Sequence, residues 1–219
     1  MVNLKQLSEM NLPDLSDAID LYNTEARFCQ PNPENSHLSL IYKIRELHEE
    51  CNYLEIGTLF GFSMVNATRS KTKGKFVGID LFETTGKIYI NDYTPDIQER
   101  DLSLAKTCRL IKSCNIHNHD VNLILGNSLE EETFDKAIQV SPEYHLMFLD
   151  GDHSYHGTLK DFEKYSPLLI SGGYLLLDDQ DYPDITEVIK TIRWKYKDEY
   201  DWYEWPEYSP KFNGFFVKR

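Results

Sequence analysis

Leu146-Met147-Phe148-Leu149-Asp150-Gly151-Asp152-His153 and Leu175-Leu176-Leu177-Asp178-Asp179 are apolar runs that each end abruptly in a pair of acids. Short apolar runs bounded by glycine and acids read as strands buried on both faces, the signature of a parallel sheet. Ligands of open α/β sheets bind just beyond the carboxyl ends of such strands. Asp150, Asp152, Asp178 and Asp179 therefore fall at one edge, where like charges about 4 Å apart cost on the order of 1 kcal/mol in water and about 4 at an effective dielectric of 20. Protons or a hard divalent cation with oxygen ligands would relieve that repulsion.

Outward from these runs, strand and helix alternate. Strands are expected at Tyr53–Ile56, 75–79, 122–125, 145–149 and 174–177. Helices are expected at 63–69, 97–114, 130–140, 158–169 and 185–196. Such alternation implies a Rossmann-like, doubly wound α/β sheet with helices on both faces. Segments 202–205 and 212–217, joined by a short link containing Pro210, close the chain as an antiparallel pair. The expected sheet has seven strands, the last antiparallel. Two helices, over residues 14–26 and 37–50, precede it, with Ser36 as an N-cap and 30–35 as a loop. The expectation is one domain over residues 1–219, with N-terminal helices to residue 50 that could form a lid and a core from residue 51 onward.

Composition limits the partners. The 219 residues carry a formal net charge of −13, which argues against binding to nucleic-acid phosphates or anionic lipid, since both need a basic face. The one dense basic stretch, Lys71-Thr72-Lys73-Gly74-Lys75, reads as a solvated turn. No apolar run approaches the roughly 20 residues that span a bilayer, and residues 1–20 lack the apolar core of a signal peptide. Cys29, Cys51, Cys108 and Cys114 show no CxxC spacing. They read as free thiols, with Cys51 and Cys108 on helical faces, and the expected compartment is a reducing cytoplasm.

Leu54-Glu55-Ile56-Gly57-Thr58-Leu59-Phe60-Gly61-Phe62-Ser63 follows the first strand and opens a helix. Gly57 permits a tight turn, and Gly61 would let a cofactor approach the backbone near the helix start. No glycine stands two residues after Gly57, which weakens a dinucleotide reading; the bland alternative is a plain strand-to-helix turn. Asp80 ends the next strand, where an acid can accept hydrogen bonds from ribose hydroxyls. Asn127 and Ser128 end the third, either beside an adenine ring or as a helix cap.

With these residues in hand, the chain over about residues 50–219 resembles the class I S-adenosylmethionine-dependent methyltransferases. The resemblance rests on Glu55-x-Gly57-x-x-x-Gly61-x-Ser63, Gly78-Ile79-Asp80, Gly126-Asn127-Ser128, Asp150-Gly151-Asp152-His153-Ser154-Tyr155, and Pro167-Leu168-Leu169 with Gly172-Gly173 leading to Asp178-Asp179. The last third is most similar to the metal-dependent small-molecule O-methyltransferases. These include sugar-methylating enzymes of macrolide and aminocoumarin biosynthesis and, more distantly, the catechol type. The resemblance implies that S-adenosylmethionine lies along Glu55, Gly57, Thr58, Gly61 and Ser63. Asp80 would hold the ribose, Asn127 and Ser128 would flank adenine, and Asp150 would border the donor. It also implies Mg²⁺, or another divalent cation, on Asp150, Asp178 and Asp179. The general base would be His153, three residues beyond the first metal Asp, or Asp152, the second acid of Asp-Gly-Asp.

An alcohol is a poor nucleophile at neutral pH, and a cation on its oxygen with a base nearby remedies that. The expected reaction is O-methylation of a sugar or glycosylated small molecule. The alternatives are a catechol-like acceptor and a cofactor-binding module without turnover. Asp178 and Asp179 can serve one ion only if the chain turns there, because adjacent strand residues face opposite ways. His37, His48, His117, His119, His145 and His156 show no zinc spacing. Of these, His117 and His119 read as surface, and His156 as a neighbour of the site. Residues 83–95, long for a strand-to-helix link, read as a lid, to which the N-terminal helices could add a second. The aromatic tail, Trp194, Tyr196, Tyr200, Trp202, Tyr203, Trp205 and Tyr208, reads as the packing of a terminal hairpin or of a subunit contact in a homo-oligomer, in preference to stacking on sugar faces.

Overall fold

The computed structural model describes residues 4–26, 37–82, 104–209 and 212–219. Strands β1 (Tyr53–Ile56), β2 (Phe76–Asp80), β3 (Val121–Leu125), β4 (Tyr144–Leu149), β5 (Leu169–Leu177), β6 (Tyr200–Ser209) and β7 (Phe212–Lys218) form one sheet in the order β3-β2-β1-β4-β5-β7-β6. The first five strands run parallel. The last runs antiparallel to both of its neighbours. This is the seven-stranded Rossmann-like arrangement expected. The chain winds outward from β1 through β2 to β3, then returns to β4 and winds the other way. The strand order thus reverses between β1 and β4, which is where such sheets open a crevice at their carboxyl ends.

Side chains alternate across the sheet with the period of two that a strand imposes. Tyr53, Phe148 and Leu176 join one apolar cluster with Leu7, Ala18, Leu40, Val65 and Ile111. These come from α1 (Leu4–Glu9), α2 (Ser16–Leu21), α3 (His37–Arg45), α4 (Phe62–Thr68) and α5 (Leu104–Cys114). Leu54, Met147 and Leu175 face the other way, onto Ala137, Phe162 and Val188 of α6 (Glu131–Val140), α7 (Tyr155–Tyr165) and α8 (Pro183–Lys195). Each fully buried Leu or Phe contributes about 1.5–3 kcal/mol relative to exposure, so the register that delivers the strand ends is held from both faces.

Several expectations need correction. In the described N-terminal helices Leu7, Ala18, Leu40 and Ile44 are fully buried, and the Tyr22 hydroxyl donates to the Phe60 carbonyl at 2.7 Å. The helix expected over 37–50 stops at Arg45. Its buried guanidinium donates to the carbonyls of Cys51 and Thr72 and stacks 4.1 Å from the Phe76 ring, tying the helix end to the strand feet. Strand β5 starts at Leu169, five residues before the expected 174. Gly172 and Gly173 lie inside it at an irregularity in register with β4, Gly172 at a φ of +81°. Cys51 precedes β1 and is not on a helix; Cys51 and Cys114 are buried and Cys108 exposed, all three as free thiols. His119 is only partly exposed, lying 4.9 Å from the Phe76 ring and 2.7 Å from the Ser70 carbonyl.

In the tail, Trp202 packs edge-on to Phe216, Tyr203 stacks on Phe215, and Trp205 is buried, whereas Trp194 is exposed. Among the described residues no helix is long and apolar enough to cross a membrane. Ser36, Cys29, the loop 30–35, the lid expected at 83–95 and the helix start at 97–103 lie outside the described residues, as does the Tyr208 side chain.

Candidate active site

A cleft of about 720 Å³ opens at the reversal point and is lined by the ends of β1, β2, β3, β4 and β5. Its back wall is the turn after β1. Gly57 has a φ of +88°, and a Cβ there would sit 1.9 Å from the Asp150 carbonyl oxygen. Only glycine lets β1 and β4 come this close while the Gly57 amide donates to the Ile79 carbonyl at 2.9 Å. Asp80 braces the same turn. Its Oδ2 accepts from the Leu59 amide at 2.7 Å and its Oδ1 from the Phe82 amide at 2.8 Å. Each carboxylate oxygen has a second lone pair, so Asp80, on the cleft lining, retains acceptor capacity for a ligand hydroxyl.

Asn127 and Ser128 line the far end of the cleft. The helix-cap reading of Asn127 does not hold, because α6 starts at Glu131 with Glu130 at its N-cap; Asn127 borders the cleft while its Oδ1 accepts from the Leu129 amide at 2.9 Å in the preceding turn. Ser128 donates through Oγ to Asp161 at 2.6 Å. Asp161, a lining residue absent from the sequence expectations, is 3% exposed, and burial pushes its carboxyl up to about 6 against the Ser128 hydrogen bond.

The acids form the opposite wall. Asp150, Asp152, Asp178 and Asp179 all line the cleft, as does His153. The chain turns at Asp179, whose φ is +45°, supplying the turn that two adjacent acids need to serve one site. Gln180 clamps this turn from beneath. Its Nε2 donates to the carbonyls of Leu177 (2.9 Å) and Gly214 (2.8 Å), while its Oε1 accepts from the amides of Asn213 (2.7 Å) and Gly214 (3.2 Å). The His153 ring bridges two acids, Nε2 at 3.3 Å from Asp150 and Nδ1 at 3.5 Å from Asp179. It lies 5.7 Å from the Tyr182 ring.

His37 reaches the same acids from α3, with Nδ1 2.8 Å from Asp178 Oδ1. Burial, and then repulsion from Asp178, push Asp150 well above the ordinary carboxylate value, with His37 opposing and Asp179 adding to the rise. Burial lowers the proton affinity of His37, but Asp178 foremost, with Asp150 and Asp179, turns the net shift upward. Among the described residues no three His, Cys, Asp or Glu side chains are arranged as a ready coordination group.

Asp152 differs from its neighbours. Its Oδ1 accepts from the Ser154 amide at 2.8 Å, its carbonyl accepts from Thr158 Oγ1, and a Cβ at Gly157 would meet its Oδ2 at 2.1 Å. These contacts brace the start of α7. His156 is exposed and rests against Tyr155, away from the lining.

Four expected cofactor residues do not line the cleft. Glu55 projects to the α3–α5 face with Tyr53 and is fully buried, its Oε2 accepting from Tyr53 (2.6 Å) and its Oε1 from Ser63 (2.8 Å). Burial drives Glu55 from 4.5 up to about 8, opposed by those two hydroxyls and aided by Asp80. Thr58 is buried beneath the turn. Gly61 adopts a φ of +77°, and a Cβ there would meet Ile111 of α5 at 2.5 Å. The glycine thus accommodates the close packing of α5. Ser63 is occupied with Glu55.

The sequence pattern of a methyltransferase domain matches residues 54–180. The uncharacterized protein R132 of Acanthamoeba polyphaga mimivirus is 30% identical over 145 residues, 66% of this chain and 58% of that protein. The chain therefore spans less than two thirds of that relative's length. Among solved structures, the O-methyltransferase NovP superposes with a TM-score of 0.59 at 15% identity, over 99% of this chain and 96% of that one. An O-methyltransferase from Bacillus cereus, solved with SAH, gives a TM-score of 0.61 at 16% identity, over 98% and 96%. The calicheamicin methyltransferase CalS11 gives 0.59 at 14% identity, over 98% and 88%. At these identities the superpositions establish the fold. The sequence match takes in β1 through Gln180, the span that builds the cleft from its glycine turn to its acid wall, and by that match the chain belongs to the methyltransferase-domain family.

Proposed function

We propose that this protein is an S-adenosylmethionine-dependent O-methyltransferase. Its acceptor is a hydroxyl with a neighbouring oxygen, on a sugar or glycosylated small molecule. The observation that carries this reading is that one cleft joins the glycine turn, Asp80, Asn127 and Ser128 to the wall of Asp150, Asp178, Asp179 and His153. A donor seated on the first half would present its methyl group to an acceptor held against the second. The Gly57 turn on the cleft lining and the acceptor capacity left on Asp80 suit the donor's main-chain contacts and its ribose.

Asp150, Asp178 and Asp179 would hold Mg²⁺ or another divalent cation. Three carboxylates are the oxygen donors a hard cation takes, and Asp150 is pushed upward by burial first and then by the neighbouring Asp178 and Asp179 charges, a crowding that a cation would relieve. When bound, such an ion supplies positive charge that acidifies a nearby hydroxyl. The chain's own residues do the rest. The acceptor oxygen forms a bond to the methyl carbon as the carbon–sulfur bond breaks, and the hydroxyl proton passes to His153. Asp150 and Asp179, at 3.3 and 3.5 Å, compensate the charge that His153 gains. Asp152 is the weaker candidate for that proton, because its contacts brace the start of α7.

The test is transfer of labelled methyl from S-adenosylmethionine to a panel of sugar, glycosylated and catechol hydroxyls, with and without exhaustive chelation. Transfer to a sugar-type hydroxyl that chelation abolishes is the expected result. His153→Ala should lower the rate by about 10²–10⁴-fold, with Asp152→Asn the milder lesion. The reverse ranking gives the proton to Asp152. Activity that survives chelation refutes the metal, and preference for catechols refutes the acceptor class.

A further inference from the structure

The methyltransferase match starts at residue 54, yet a side chain from well before it reaches the acid wall. His37 opens α3 with its Nδ1 2.8 Å from Asp178 Oδ1. The imidazole stacks on Phe148 of β4, with ring centroids 4.7 Å apart and planes at 21°, and meets Phe212 of β7 edge-on at 6.1 Å. β4 and β7 are the two neighbours of β5, the strand that ends in Asp178. The ring is thus wedged between the strands flanking the one whose carboxylate it touches. Leu38, Leu40, Ile41 and Ile44 bury the helix behind it in the core, which fixes the backbone from which the imidazole projects.

The approach is at ion-pair distance, and an Nδ1–H placed there would donate to the carboxylate, which only accepts. Asp178 precedes a residue in the left-handed conformation, Asp179, and shares the cleft wall with the acids Asp150 and Asp179.

We propose that His37 is a positioning residue for the methyl transfer: its Nδ1–H holds the Asp178 carboxylate toward the cleft, making the N-terminal helix a working part of the site. It acts through Asp178 and does not touch the acceptor. The inference rests on the O-methyltransferase reading, and the experiment separates the two.

His37→Asn retains an N–H donor near the place of Nδ1, while His37→Phe keeps the stacked ring and removes the donor. With the acceptor identified, His37→Phe should lower kcat by about 10–100-fold, the usual effect of losing a partner that orients a ligand side chain. The KM for S-adenosylmethionine and the melting temperature should stay near native, and His37→Asn should remain within about threefold of native kcat. In the native chain without ligands, long-range ¹H–¹⁵N spectra should show the His37 Nδ1 protonated, with a resonance that moves in Asp178→Asn. Native kcat in His37→Phe overturns the proposal. So does an equal loss in both variants, which would make ring packing the cause, and so does an unprotonated Nδ1. If the native chain methylates no hydroxyl at all, the functional reading fails. The spectra then decide the His37–Asp178 contact alone, an unprotonated Nδ1 refuting it and a protonated one coupled to Asp178 upholding it.

Discussion

The substitution Glu55→Gln would remove one ionisation from the interior while leaving its shape unchanged. Glu55 is fully buried between the Tyr53 and Ser63 hydroxyls, and its proton affinity rises from 4.5 to about 8, chiefly through burial. The folded chain therefore keeps this proton until about pH 8, whereas the unfolded chain releases it near 4.5. Between those values the folded state binds more protons, so stability falls as pH rises. The contribution is fully present below pH 4.5 and is lost as pH climbs through 8. At about 1.4 kcal/mol per pH unit, the loss is on the order of 3 kcal/mol at pH 7 and approaches about 5 above pH 8. The introduced amide can accept from one hydroxyl through its oxygen and donate to the other through its nitrogen, since hydroxyls rotate to suit. Urea unfolding of both chains at pH 5, 6, 7 and 8, followed by intrinsic fluorescence, cancels every other titrating group in the difference. Glu55→Gln should be the more stable chain at neutral pH, by a margin that widens from pH 5 to pH 8. A margin independent of pH, or a variant less stable throughout, would mean that Glu55 is an ionised, well-solvated acceptor and that burial does not hold its proton.

Two further substitutions probe the scaffold. Gly57→Ala should destabilise by more than the roughly 1–3 kcal/mol of an unfavourable backbone conformation alone, because its Cβ would also press on the Asp150 carbonyl; a native melting temperature would contradict the close approach of β1 and β4. Gln180→Leu strips four hydrogen bonds from the turn that presents Asp178 and Asp179. Unpaired buried groups cost about 1–3 kcal/mol each, so melting should fall by several degrees and turnover with it, and unchanged values of both would show that the clamp is dispensable.

The parts of the fold that are legible in the sequence are those dictated by local chemistry. The apolar runs ending at Ile56, Asp80 and Leu149 are strands because nothing but a doubly covered sheet buries such runs. The acids that follow them emerge at one edge because parallel strands share a direction. From sequence β5 reads short because Gly172 and Gly173 look like a turn, whereas in the fold they sit inside a strand where register shifts. The cleft lining is legible wherever a residue ends a strand: Gly57, Asp80, Asn127, Ser128, Asp150, Asp178 and Asp179. It is not legible within the turn motif itself. Glu55 shares a face with Tyr53, two residues away, and points into the core, and Gly61 answers to Ile111 on a helix much later in the chain. His37, Asp161 and Gln180 carry no local signal. Each acquires its place from a contact with a distant segment, which periodicity and spacing do not encode.

Whether the cleft is a donor site can be decided without an acceptor or a metal, by calorimetric titration of the native chain and of Asp80→Ala with S-adenosylhomocysteine, the demethylated product. The native protein should bind one molecule per chain, and Asp80→Ala should bind at least tenfold more weakly with its fold intact by circular dichroism. Absence of binding by the native chain, or equal affinity in the two proteins, would contradict a donor site built on the glycine turn and Asp80.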